Sequence, residues 1–297
     1  MKIGETEIVD TFAEAFRMRY ARLIVTAHDD YWLDAAIRAF SGYASSVIAC
    51  DAEIGVERHL AADETPDGRP GVALLAFGFS TDGLAKAIPN RTGQCLMTCP
   101  TTAVYDGLPA GEEKLPLGKH LRFFGDGFQK SKRLNGRRYW RIPVMDGEFL
   151  VEERLGVNKG IAGGNLIFQG RTHESALAAA RRAAEALAEM PGVITPFPGG
   201  IARSGSKVGS VYKALAASTA DAYCPTLRGN VAATLLHPEA NYAYEIVIDG
   251  EDEPAIARAM LAAMEAGAGE GVICISAGNY GGKLGKFHFR LHQIAGG

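Results

Sequence analysis

A repeated order of elements constrains this chain more than any single motif. Ala21–Ala27 is an apolar run that reads as a strand. Asp30 to Tyr43 then reads as a helix, with Trp32, Leu33, Ala36, Ile37 and Phe40 on one face. Ser46–Cys50 reads as a strand, Gly71 to Phe79 as another, Ser80 to Ile88 as a helix and Gln94 to Cys99 as a strand. The second half has the same order. Asn165–Gln169 is a strand, and Thr172 to Met190 is an alanine-rich helix with Thr172 as N-cap and Gly192 beyond its end. Gly192–Thr195 and Tyr242–Ile248 are strands, Glu253 to Ala266 a helix and Gly271–Ile275 a strand. Two β-α-β, β-α-β halves predict an α+β fold of two pseudo-symmetric ferredoxin-like (split β-α-β) lobes. The lobes are a proximal one at 1–147 and a distal one at 148–297.

The halves differ by insertions. Leu23 matches Leu166 at an offset of 143 and Gly78 matches Gly250 at 172, so the second half carries 29 extra residues around Ile201 to Ala240. The first half has hairpin-like segments from Leu121 to Val151, with Leu134-Asn135-Gly136-Arg137 a strong turn signal. Phe287–His292 alternates as a last strand, which puts His288 and His292 on one face.

Three glycine-rich segments exceed what a turn needs: Gly160–Asn165, Pro196–Ser210 and Ser276–Lys286. Such loops expose backbone N–H groups and let a ligand approach the main chain. They nominate Gly163, Gly164, Asn165, Gly199, Gly200, Ser206, Lys207, Ser210, Ser276, Asn279, Tyr280 and Lys283 as a substrate-binding set. Glu245 is the catalytic candidate. It interrupts the otherwise apolar strand Tyr242–Ile248, and a buried carboxyl with a raised pKa relays protons near neutral pH.

Other chemistry is unsupported. There is no P-loop, no zinc-protease H-E-x-x-H and no G-x-S-x-G nucleophile elbow. The five cysteines lack metal-ligand spacing and read as reduced buried thiols. A net charge of −3 gives no reason to expect nucleic acid. No apolar run reaches the roughly 18 residues that span a bilayer. The expected location is therefore cytoplasmic, with no membrane partner.

Taken together, several segments resemble one family. They include Asp10–Phe16, Glu64–Val72, Phe124–Gly127, Ala162–Asn165, Pro196–Ile201, Ser206–Ser210, Asp221–Thr226, Tyr244–Ile248 and Ile275–Gly285. The resemblance, over essentially the whole chain, is to formylmethanofuran–tetrahydromethanopterin N-formyltransferases. It implies two α/β lobes with ferredoxin-like features. It also implies formyl transfer between methanofuran, or a methylofuran, and N5 of tetrahydromethanopterin, in one-carbon metabolism and formaldehyde oxidation. These small-molecule carriers are co-substrates, and no tightly bound cofactor or metal is expected. Glu245 matches the family's active-site Glu. Archaeal members are strongly acidic homotetramers, whereas Lys plus Arg here is 31 against 34 for Asp plus Glu. That balance points to the type found in methylotrophic bacteria, where the formyltransferase is one component of a formyltransferase/hydrolase complex that runs toward formate. The expected assembly is thus a homo-oligomer or a hetero-oligomer with the other subunits of that complex. A noncatalytic pterin-binding or scaffold subunit is the alternative.

Overall fold

The computed structural model describes Met1–Gly296. Its contacts divide the chain into two compact units, Met18–Gly160 and the pair of segments Met1–Arg17 with Ile161–Gly297. The division is thus discontinuous, where the sequence reading has one cut between 147 and 148. The first residues cause the difference. Thr6–Ile8 runs parallel to Val272–Ser276, pairing Glu7 with Cys274 and Ile8 with Ile275.

In the Met18–Gly160 unit the order is β1 (Phe12–Thr26, which begins in the other unit), α1 (Asp30–Ser41), β2 (Glu53–Leu60), β3 (Gly71–Gly78), α2 (Thr81–Arg91) and β4 (Ala103–Asp106). The sheet order is β4-β1-β3-β2, all antiparallel. Leu23, Val25, Phe40, Leu74 and Ile88 are buried in its core. A short α3 (Gly118–Leu121) and a hairpin, β5 (Lys130–Leu134) with β6 (Arg137–Val144), follow. Asn135 and Gly136 have φ of 49° and 79°, the positive pair that a type I′ hairpin turn requires.

Two expected strands are absent here. Ser46–Cys50 is a tight turn, closed by the Cys50 N–H on the Ser46 carbonyl at 2.8 Å. The strand is β2 instead, which its glutamates disguise: buried Glu57 takes a two-pronged bond from Arg22 at 2.6 and 2.8 Å. Gln94–Cys99 extends α2 through a π turn over Thr92–Leu96, with the Met97 N–H on the Thr92 carbonyl at 2.8 Å. The strand falls at β4.

The second unit repeats the pattern with β7 (Arg154–Gly170, which begins in the first unit), α4 (His173–Leu187), β8 (Val193–Ile194), β9 (Tyr242–Gly250), α5 (Glu253–Gly267) and β10 (Val272–Ser276). The order β10-β7-β9-β8 matches the first. The register matches too: Leu23 pairs with Leu74, and Leu166 pairs with Ile246. Thr172 caps α4 by accepting the Ser175 N–H at 3.1 Å. Buried alanines on α4 and α5, among them Ala179, Ala183, Ala259 and Ala263, give a close-packed layer over Phe168, Ile246 and Ile275.

Gly160–Asn165, expected as a loop, lies inside β7. It is a bulge between Ile161 and Gly164, where Gly163 takes φ of 93°. The last strand is also shorter than expected. β11 (Phe287–Arg290) ends where the Leu291 N–H bonds the Thr11 carbonyl, and α6 (Leu291–Gly296) follows. His292 is therefore on a helix and shares no strand face with His288. Among the described residues there are six α-helices, and none is long and apolar enough to cross a membrane. All five cysteines are free; Cys274 is buried, while the other four are half-buried rather than buried as expected.

Candidate active site

One cross-strand row organises the site. Ile167 on β7 pairs with Glu245 on β9 and with Ser276 on β10. Direct partners on adjacent strands point to the same face, so the three side chains lie together. Asn165 is on that face as well, and its Oδ1 accepts the Gly278 N–H at 2.7 Å. Beyond β8, Ala202 exchanges two backbone bonds with Glu245, at 2.8 and 3.1 Å. This bridge lays Arg203-Ser204-Gly205 over the Glu245 carboxyl. Thr219, Tyr223 and Cys224, from the same insertion, complete a pocket of about 60 Å³. That is room for a few water-sized groups.

Glu245 is half-buried, and among the described residues no hydrogen bond or ion pair reaches its carboxyl. Burial alone pushes its pKa up to about 7. Burial also raises the Tyr223 phenol, as does the Glu245 charge, while Ser276 pulls it the other way. The Tyr280 phenol is raised by burial and then by the charges of Glu245 and Glu14. Both tyrosines thus stay protonated near neutral pH, and the Tyr223 O–H donates to the Ala277 carbonyl at 3.3 Å.

The Ser276–Lys286 segment is held from inside. Glu14, buried on β1, accepts the backbone N–H groups of Tyr280, Gly282, Leu284 and Gly285. Burial raises its pKa, but those four bonds outweigh it and hold the carboxyl below its usual range. The N–H groups expected to face a ligand are therefore satisfied by a protein carboxylate.

The nominated residues separate into two groups. Asn165 and Ser276 share the Glu245 face, and the Tyr280 phenol is near enough to feel the Glu245 charge. Asn279 instead ties the loop to Thr11 and the Phe12 carbonyl at 3.2 and 3.1 Å. Gly163 donates to Asp249 at 3.1 Å, and Gly164 packs on α5, where a Cβ would stand 2.7 Å from Ile256. Gly200 packs on α4, where a Cβ would meet Ala184 and Thr195 at 2.9 Å; Gly199 beside it is open. Exposed Lys207 is paired with Asp221, Ser206 is its neighbour in the Ser206–Val208 strand, and Ser210 accepts the Tyr212 N–H. Lys283 is exposed.

Arg203 and Gly205 fall within the glycine-rich Pro196–Ser210 segment and Tyr223 within the polar Ser218–Thr226 cluster without being nominated singly, and the sequence reading did not nominate Glu14. The last carried a legible signal, since Phe12-Ala13-Glu14-Ala15-Phe16 sets a charge in an apolar run just as Glu245 does. No group of three His, Cys, Asp or Glu is placed to hold a metal among the described residues.

A mixed α/β fold with a partnerless, desolvated carboxyl in a small pocket is the frame of an enzyme. The comparisons specify the family. The family model described as formylmethanofuran-tetrahydromethanopterin formyltransferase matches residues 1–144, and the one described as "FTR, proximal lobe" matches 147–294. The name proximal thus falls on the C-terminal half, the reverse of the expected naming. The formylmethanofuran–tetrahydromethanopterin formyltransferase of Rhodopirellula baltica is 55% identical over 99% of this chain and 93% of its own length. The solved formyltransferase of Methanosarcina barkeri is 45% identical with a TM-score of 0.94, over 99% of this chain and all of that one. A chain in the solved formyltransferase/hydrolase complex of Methylorubrum extorquens with methylofuran is 48% identical with a TM-score of 0.92, over 97% and 96%. The chain belongs to the formylmethanofuran–tetrahydromethanopterin formyltransferase family.

Proposed function

We propose that this chain transfers a formyl group between methanofuran, or a methylofuran, and N5 of tetrahydromethanopterin, with Glu245 managing the proton. The reaction is acyl transfer between two amines. The attacking nitrogen bonds the formyl carbon and the C=O electrons move onto oxygen. The tetrahedral oxyanion collapses and the other C–N bond breaks. The attacking amine loses one proton and the leaving amine gains one, so the step balances through a single relay.

Glu245 fits that relay. A carboxyl with a pKa of about 7 exists in both forms at neutral pH, so it can take the proton and return it. This partnerless carboxyl is the observation that carries the reading. Tyr280 and Ser276 are read as O–H donors for the developing oxyanion, while the Tyr223 O–H is held by the Ala277 carbonyl. Asn165 and the remaining nominated loop residues are read as contacts for the carriers. The transfer as written asks for no metal or prosthetic group.

The chain is read as two ferredoxin-like lobes, 1–147 and 148–297; the repeated strand order and shared register support this. In the cell we place it with partner subunits of a formyltransferase/hydrolase complex or in a homo-oligomer. The near-balanced charge and the Methylorubrum relative support the former. Family membership speaks against a noncatalytic scaffold.

The test is direct. The purified chain is mixed with formylmethanofuran and tetrahydromethanopterin, and formyl-pterin is followed by chromatography. Stoichiometric transfer that Glu245→Ala abolishes is expected. No transfer by the folded chain, alone and with partner subunits, would overturn the reading.

A further inference from the structure

We infer that Glu14 is a positioning residue: its carboxylate gathers the 280–285 backbone and so sets Tyr280 against the Glu245 face. The inference rests on reading Tyr280 as a substrate-binding residue. Glu14 Oε2 accepts from Tyr280 at 2.7 Å and Gly282 at 2.9 Å. Oε1 accepts from Leu284 at 2.6 Å and from Gly285. The Glu14 N–H in turn donates to the Gly278 carbonyl at 3.2 Å. Four donors nearly fill a carboxylate's acceptor capacity.

The sequence is built for this wrapping. Gly281 and Gly282 take φ of 70° and 72°, a left-handed turn that brings the Gly282 N–H to Glu14 while the Gly281 N–H goes to Asn279 Oδ1. At Gly285 a Cβ would stand 2.5 Å from the Ala15 carbonyl and 2.7 Å from Glu14 Cγ, so only glycine permits the approach. Asn165 holds the other end of the loop through Gly278. Between these anchors Tyr280 is half-buried, with its ring 6.3 Å from that of Phe16. The raised pKa of its phenol, to which the Glu245 charge contributes, agrees with this placement. A glutamine at 14 would present one oxygen and an NH₂ group to four N–H donors, leaving at least one pair of N–H groups unmatched.

A double-mutant cycle in the full chain tests this. Glu14→Gln and Tyr280→Phe are each expected to lower kcat about tenfold or more, as small misplacements at a reacting centre do. The double variant should fall no more than about twofold below Glu14→Gln, because both changes remove one contribution. Independent multiplication of the two losses would overturn the inference. Normal kcat in Glu14→Gln with an impaired Tyr280→Phe would overturn it while leaving the Tyr280 reading in place. A normal Tyr280→Phe would overturn both. If Glu14→Gln fails to fold, Glu14→Asp, which keeps the charge but draws the loop in by one methylene, enters the same cycle. A normal rate there overturns the inference as well.

Discussion

Gly205 lies against the Glu245 carboxyl so closely that a Cβ at 205 would stand 2.7 Å from Glu245 Oε2. The atom in the way is the end of a flexible side chain, so an added methyl displaces the carboxyl rather than the backbone. Gly205→Ala is therefore expected to fold with a near-normal melting temperature. Its kcat should fall about 10- to 100-fold, because the proton relay is misplaced. Steady-state kinetics beside a thermal melt check this; unchanged kcat would show that the carboxyl position does not matter.

Gly200 and Gly281 look alike in sequence but differ in surroundings. At Gly200 a Cβ would press on Ala184 and Thr195 at 2.9 Å and φ is 76°; at Gly281, φ is 70° with open space around it. Gly200→Ala combines overpacking with backbone strain and should cost roughly 2–4 kcal/mol of stability. Gly281→Ala carries the strain alone, about 1–2 kcal/mol. Chemical denaturation should rank them in that order. Comparable stability for the two would mean that helix α4 gives way at Gly200.

The duplicated frame was legible because its central strands are apolar and its helices amphipathic. The offsets that align Leu23 with Leu166 and Gly78 with Gly250 recur in the pairings of Leu23 with Leu74 and Leu166 with Ile246. Strands stabilised by buried charge were not legible. Glu53 and Glu57 make β2 look like surface, although both are buried. Glu245 stood out as a charge inside an apolar strand. Arg203–Gly205 and Thr219–Cys224 stood out as a glycine-rich and a polar stretch, but their meeting at Glu245 did not, because in the insertion no periodicity says what folds back on what. In the Ser276–Lys286 loop, four N–H groups that the sequence suggested for a ligand go to Glu14 instead. An exposed-looking nest of N–H groups serves an internal carboxylate as well as it serves a ligand, and only tertiary structure brings Glu14 to it.

Glu245 and Glu14 should leave opposite marks on the pH dependence of stability. Glu245 holds its proton up to about 7 in the folded chain, against 4.5 for an ordinary glutamate. Between those values the unfolded chain has already released its proton, so stability falls as pH rises through the window. Discounted for half-burial, the fall is about 2 kcal/mol. Glu245→Gln should abolish it and so gain on the wild type above neutrality. Glu14 has a lowered pKa, so its contribution is complete above 4.5 and is lost on acidification through its folded value. Denaturation midpoints from pH 3 to 8 for both Gln variants resolve the two slopes. An unchanged neutral slope in Glu245→Gln would mean that the carboxyl is not desolvated.

Rate data on Glu245 separate relay from simple hydrogen bonding. Glu245→Gln keeps the shape and an N–H donor but carries no proton between nitrogens; Glu245→Ala loses both. If the carboxyl relays the proton, both variants lose about 10²–10³ in kcat, the cost typical of removing a key group from such a site. If it only donates a hydrogen bond to the oxyanion, Glu245→Gln stays within about tenfold of the wild type and Glu245→Ala alone is severe. The relay also predicts a pH profile. With a pKa of about 7, wild-type kcat should show an inflection near neutrality that vanishes in Glu245→Gln. We expect the severe loss in both variants and the vanished inflection. Near-normal kcat in both would make Glu245 a structural residue and remove the proton relay from the mechanism.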